Sequence, residues 1–164
     1  MIEIQPAGSV DPEALLAHVR AAWSSEAVVA HDEAMYQARL PGFVALSGAE
    51  IVGHVSYRVD GNRCEVTSID ATTQHEGIGT LLLEAAIEAA RAAGCTIVWL
   101  TSTNDNLDAI RFYQRRGFRL SALRPGAVDR ARGTLKPEIP EIGSYGIPMR
   151  DELDFELPLP KLSD

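Results

Sequence analysis

Apolar residues recur at three- and four-residue intervals between Gly79 and Gly94, at Leu82, Ala85, Ala86, Ala89 and Ala93. That period predicts a helix over residues 79–93 that lies flat on a sheet, its small alanines permitting close approach and Gly94 stopping it. A shorter stripe at Leu15, Leu16, Val19 and Trp23 predicts an earlier helix. For it, Asp11-Pro12-Glu13 supplies an N-cap, a proline at the first helical position and an early acid. Residues 32–39 read as a second helical segment ending near Pro41. Asn104 or Asp105 can cap another that runs to Arg116 and ends at Gly117.

Short apolar or alternating runs fill the intervals: residues 2–4, 43–46, 51–59, 63–71, 96–101, 118–123 and 152–157 predict strands. Ser47-Gly48-Ala49-Glu50 and Asp60-Gly61-Asn62 carry turn chemistry between consecutive strands. Residues 136–150 are dense in Pro and Gly and predict an ordered, turn-rich loop between the final strands. This order predicts an α/β (α+β) fold, a mixed twisted sheet with helices on both faces. Residues 1–164 read as a single domain without repeats or low-complexity segments.

A chain of 164 residues, 46% apolar and 23% charged, has the length and composition for one sizeable core. The sequence shows no basic-apolar leader and no apolar run near the roughly 18 residues a membrane span needs, so a soluble, cytoplasmic protein with no membrane partner is expected. Cys64 and Cys95 are isolated and read as buried thiols, and His18, His31, His54 and His75 show no ligand spacing, so no metal is predicted. The net charge is −8, but residues 111–136 carry eight basic residues against one acidic one. This island (Arg111, Arg115, Arg116, Arg119, Arg124, Arg130, Arg132 and Lys136) reads either as a solvated face, or as a partner for a phosphate or for the acidic C-terminal strand. The surrounding chain is acidic and would repel a polyanion, so nucleic acid is not an expected partner.

Between a strand-like run and the alanine-rich helix lies Gln74-His75-Glu76-Gly77-Ile78-Gly79-Thr80. Glycines let a backbone pass close to a ligand, and the following helix presents unpaired N–H groups. With no Lys or Arg in the stretch, an anion would be held by backbone donors and the helix dipole. A nucleoside-triphosphate loop needs Lys before the Ser or Thr, yet Thr80 follows Gly79 directly. A dinucleotide fingerprint needs a third glycine where Leu82 stands, and an acid about 20 positions on that the region around Val98 and Trp99 does not offer.

What remains, Gln/Arg-x-x-Gly-x-Gly/Ala, resembles the pyrophosphate-binding motif of the GNAT family of acetyl-coenzyme A-dependent N-acetyltransferases. A second segment strengthens the resemblance: the run from Asn106 through Ala109 and Tyr113 to Gly117-Phe118 is similar to that family's Asn-x-x-Ala-x-x-x-Tyr-x-x-x-Gly-Phe stretch. The resemblance implies a mostly antiparallel sheet of six to seven strands and acetyl-coenzyme A as co-substrate, without a metal. It implies acetyl transfer to a primary amine, of a small molecule or of a protein, by direct attack in a ternary complex. A catalytically silent acyl-coenzyme A sensor or regulatory module, an O-acetyltransferase and a longer acyl donor stay open, as does a homodimer.

By that resemblance the backbone of Gly77, Ile78, Gly79 and Thr80 holds pyrophosphate and Gln74 orders the loop. Ile69, Asp70 and Ala71 receive the pantetheine arm and polarise the thioester carbonyl through a backbone N–H. Tyr113 occupies the general-acid position, poised to protonate the coenzyme thiolate; the other reading is a core tyrosine against Phe112 and Phe118. Asn106 contacts the coenzyme through its amide, or serves as a capping residue. For the base, Glu65 is the candidate, sharing a face with Thr67 and Ile69 by simple alternation and needing a pKa raised by burial. His54, Tyr57 and an ordered water chain are its rivals. Glu138, Glu141, Tyr145, Asp151 and Glu152 would give the tail loop an acidic character suited to a cationic amine, or would partner the arginine island.

Overall fold

A computed structural model describes residues 1–73 and 77–161. Gln74, expected to order the glycine loop, lies outside the described residues, as do its neighbours His75 and Glu76. The strands are β1 (Ile2–Pro6), β2 (Ala27–Ala30), β3 (Glu33–Tyr36), β4 (Gly42–Ser47), β5 (Glu50–Asp60), β6 (Arg63–Ala71), β7 (Ile97–Thr103), β8 (Arg119–Arg124) and β9 (Glu152–Pro158). The α-helices are α1 (Pro12–Trp23), α2 (Ile78–Ala92), α3 (Leu107–Arg115) and α4 (Ala127–Gly133). Seven strands form a mixed, mostly antiparallel sheet, the class expected, and β2 and β3 form a two-stranded one.

The chain resolves into two compact units, one of Met1–Val28, Tyr36–Val98 and Leu159–Asp164, the other of Val29–Met35 and Trp99–Pro158. In the first, β1, β4, β5 and β6 run antiparallel in that order. Gly48 (φ 62°) and Gly61 (φ 60°) turn the two hairpins in the left-handed region that favours glycine. A Cβ on Gly53 would come within 2.9 Å of the Ile78 and Leu82 side chains, so α2 lies on the Gly53 face of β5 and glycine is what lets it approach. Leu82, Leu83, Ala86 and Ala90 are buried there; of the expected stripe Leu82 and Ala86 are among them, whereas Ala85 and Ala89 are half-buried and Ala93 is exposed, so the buried face is rotated towards Leu83 and Ala90. Each leucine so buried contributes about 1.5–3 kcal/mol. On the opposite face α1, capped by the Asp11 carboxylate, buries Leu15 and Val19 with Ala7 and Val44.

The register across β5 and β6 corrects one expectation. Val55 pairs with Ile69, His54 with Asp70 and Ser56 with Ser68, but Tyr57 pairs with Val66 and Arg58 with Glu65. Thr67 is the extra residue of a bulge, which reverses the alternation beyond it. Glu65 therefore shares its face with Ser68 and Asp70, and Ile69 turns to the other side.

In the second unit β8 pairs antiparallel with β9, and Phe155 of β9 is wholly buried. Asn106 Oδ1 accepts the Ala109 amide to cap α3, and Gly117 (φ 93°) ends that segment. Helix α4 was not expected, because its apolar stripe is only Ala127, Val128 and Ala131, set among Asp129, Arg130, Arg132 and Gly133. Residues 32–39 are not helical. The valines of β2 favour extended backbone, the turn into β3 passes through His31 (φ 41°) and Asp32 (φ 62°), and only residues 37–39 wind, as a 3₁₀ turn. Among the described residues no helix is long and apolar enough to cross a membrane.

Candidate active site

The first unit supplies the helix start. Gly77, with φ 77° and no side-chain cap, is the N-cap of α2, and the first described helical bond runs from Leu81 N–H to the Gly77 carbonyl at 3.1 Å. A Cβ at Gly77 would meet nothing within 4 Å among the described residues, which leave the space over this turn open. Ile78 is buried beneath the helix, while Gly79 and Thr80 are half-buried at its mouth. First-turn amides and the positive end of the helix dipole face that space, a combination suited to an anion.

Ile69, Asp70 and Ala71 close β6 just before that loop. Ile69 and Ala71 pair with Val55 and Gly53 on the α2 side, whereas Asp70 points towards α1. There its Oδ1 lies 2.6 Å from His18 Nε2. Asp70 Oδ2 is buried without a hydrogen-bond partner among the described residues, and so are both ring nitrogens of the fully buried His54. Further along the same face the Ser56 hydroxyl lies 2.7 Å from those of both Thr67 and Ser68 and donates to Gln37 Oε1. Glu65, 3% exposed, accepts from Arg58 Nε at 2.9 Å. The candidate base is thus buried as expected, with an arginine on its carboxylate.

Burial lowers the His54 pKa from 6.5 to about 4; Asp70 opposes the shift and His18 adds to it. The folded chain therefore stays neutral at His54 where the unfolded chain takes a proton. Stability is fully present above the unfolded value and is lost as pH falls from about 6.5 to about 4, by roughly 3 kcal/mol. Denaturant unfolding at pH 7 and pH 4 is expected to show this loss in the wild type and a smaller one in His54→Gln. Equal losses would remove His54 as the source.

The second unit carries the other motif. Tyr113 is buried, its ring edge-on to Phe112 and Phe118 at 5.3 and 5.7 Å and tilted against Phe155 at 6.0 Å. Burial raises its pKa, which keeps the phenol protonated. Its hydroxyl makes no hydrogen bond among the described residues. Asn106 is exposed at the start of α3, where its side-chain carbonyl oxygen accepts the Ala109 amide.

The tail loop is fastened to the segment preceding α3. Buried Asp105 accepts from the Ser144 amide at 2.8 Å and the Thr103 hydroxyl at 2.6 Å. Asn104 reaches the Pro148 carbonyl and the amides of Arg150 and Asp151, and the Tyr145 hydroxyl donates to Asp108. Arg132 donates to the carbonyls of Ile139, Pro140 and Met149, while Arg124 pairs with Glu152 and Asp154. Much of the arginine island is therefore structural. Glu152 is buried in that pairing and Asp151 accepts from Gly126 N–H, which leaves Glu138 and Glu141 as the exposed carboxylates of the group expected. The sequence hid the His18–Asp70 pair because 52 positions separate its members, and no local spacing links them.

The sequence profile of the Acetyltransferase (GNAT) family matches residues 12–118, a span that contains both motifs. The chain is 47% identical over 117 residues to the uncharacterized protein YdhI of Bacillus subtilis (strain 168), covering 71% of this chain and 72% of that one. It is 38% identical over 153 residues to YxbD of the same organism, covering 93% and 96%. A streptothricin acetyltransferase of Streptomyces lavendulae is 34% identical over 92 residues, covering 52% and 49%. Among solved structures, a Bacillus subtilis acetyltransferase in complex with coenzyme A shares the fold, with a TM-score of 0.72 at 20% identity over 97% of this chain and 99% of that one. The profile match covers well over half of the sequence, and the chain belongs to the GNAT family of acetyltransferases.

Proposed function

We propose that the chain transfers an acetyl group from acetyl-coenzyme A to a primary amine by direct attack in a ternary complex. The observation that carries this reading is the family match across residues 12–118, which takes in the helix start at Gly77 and the Tyr113 segment together. The helix start fits a pyrophosphate: its glycine N-cap leaves open space, and no acidic side chain stands in the first turn of α2. Backbone N–H groups of Gly77, Ile78, Gly79 and Thr80 hold the phosphates, and Gln74 orders the loop. Ile69, Asp70 and Ala71 align the pantetheine arm and the thioester carbonyl. Asn106 offers its amide hydrogens to the coenzyme, and Tyr113 protonates the departing thiolate. The base belongs to the polar face of β5 and β6, where Glu65 and His54 lie.

The acceptor class is an amine-bearing small molecule, a reading supported by the streptothricin acetyltransferase among the relatives. The absence of an apolar spanning helix among the described residues suits a cytoplasmic enzyme. The test is thiol release from acetyl-coenzyme A against a panel of amines that includes streptothricin, spermidine, lysine and an N-terminal peptide amine, with coenzyme binding measured calorimetrically on the same sample. Amine-dependent release is expected. Coenzyme binding without release for any amine would favour a sensor, and no binding would remove the coenzyme site.

A further inference from the structure

The amine of the proposed reaction reaches the enzyme as an ammonium and must lose a proton before it can attack. Three observations converge on where that proton goes. His18 of α1 and Asp70 at the end of β6 meet at 2.6 Å, with side chains only 8% and 12% exposed. A carboxylate can only accept, so the hydrogen between them sits on His18 Nε2, and in the neutral ring the opposite nitrogen, Nδ1, carries the lone pair. Asp70 also stands between Ile69 and Ala71, the residues to which the proposed function gives the thioester. Finally, Asp70 Oδ2 and both nitrogens of His54, its cross-strand neighbour, are buried and without partners among the described residues. A neutral imidazole holds one donor and one acceptor, and burying both unmet is costly unless a small polar group is received there.

We propose that His18 and Asp70 form the general-base dyad of this site, with Asp70 holding the imidazole through Nε2 and the incoming ammonium giving its proton to His18 Nδ1 on the far side of the ring. The inference rests on the acetyl-transfer reading and names the base it leaves unassigned. The rivals are less suited. Glu65 already accepts from Arg58, Tyr57 pairs with Val66 on the other face, and His54 is held neutral by burial with a pKa near 4, too weak a base at neutrality. A carboxylate on one nitrogen of an imidazole fixes the tautomer and aims the other nitrogen at its partner.

R–NH3⁺ gives one proton to His18, which passes it to solvent. The free amine forms the C–N bond, the C–S bond breaks, and the thiolate takes the Tyr113 proton. The second N–H proton, shed as the amide forms, restores Tyr113. One proton is released per turnover. The groups that bear on His18 from the sheet are Asp70 and His54, with the Arg58–Glu65 pair further along that face. From the turn at residues 37–39 the titratable group is Arg39, stacked over Tyr36 at 4.8 Å, and on α1 itself Glu13 and Arg20 flank it.

The test uses the full chain and the panel amine with the largest thiol release, comparing wild type, His18→Gln and Asp70→Asn. Both variants are expected to lose about 10²–10⁴-fold in kcat/KM near pH 7, with the deficit shrinking as pH rises towards the amine's own pKa. Coenzyme affinity by calorimetry should not change in His18→Gln. Nitrogen-15 resonances of the unliganded wild type should show His18 protonated at Nε2 and bare at Nδ1 at neutral pH. An unchanged rate and pH profile, a doubly protonated His18 at neutral pH, or lost coenzyme affinity in His18→Gln would each overturn the dyad while acetyl transfer stands. Failure of the wild type with every amine would instead overturn acetyl transfer and the dyad with it. If His18→Gln does not fold, Asp70→Asn and the His18 resonance decide.

Discussion

Replacing Tyr113 by phenylalanine is expected to lower turnover by about 10²–10⁴-fold while leaving the fold and the coenzyme affinity intact. The expectation comes from a division within one side chain. The ring is a core element, locked between Phe112, Phe118 and Phe155, and phenylalanine preserves each of those contacts. The hydroxyl makes no hydrogen bond among the described residues, so deleting it removes no bond among them. The melting temperature should move by less than about 3 °C, the shift that roughly 1 kcal/mol produces in a domain of this size. A buried phenol with its pKa raised keeps its proton throughout the neutral range, as a donor to a leaving thiolate must. Steady-state kinetics with the best panel amine, alongside calorimetry with coenzyme A, separates the outcomes. Normal turnover would leave Tyr113 a packing residue; a fall in turnover accompanied by a large fall in stability would mean that the hydroxyl holds the core.

How much of this could be read from the chain depends on the range of the interactions. The helix over α2 was legible because its period, its glycine stop and its glycine start are all local. So was the Asn106 to Phe118 segment, whose cap and terminating glycine lie within one short helix. The bulge at Thr67 was not legible, because an extra residue in β6 is defined only by what β5 places opposite it. That single residue turns Ile69 away from Glu65 and brings Asp70 round to α1, so an error of one position changed which side chains share the candidate base's face. The hairpin of β2 and β3 was missed for a related reason: positive φ at His31 and Asp32 is a conformation that neither residue type announces as glycine would. The arginine island was visible as charge, but whether an arginine meets solvent or a carbonyl, as Arg132 does, is decided by a loop that folds back from several residues away.

Gly79→Trp is expected to abolish coenzyme A binding, raising Kd at least 100-fold, with the helix and the fold preserved. Gly79 occupies the second position of α2, where tryptophan is a better helix former than glycine, so the local backbone gains rather than loses. What changes is access. A cradle built from backbone amides has no long cationic side chain that could reach around an obstruction, and its donors act only on an anion that approaches to about 3 Å. An indole over the first turn holds a diphosphate beyond that distance and covers the positive end of the dipole. Gly77→Ala makes the complementary change, since its Cβ would meet nothing within 4 Å yet its φ of 77° strains any other residue. That variant should lose about 1 kcal/mol of stability and bind coenzyme only modestly less well. Calorimetry and thermal melts on both proteins distinguish steric exclusion from unfolding. Wild-type affinity in a folded Gly79→Trp protein would mean that the phosphates bind elsewhere and that the glycines serve only to start the helix.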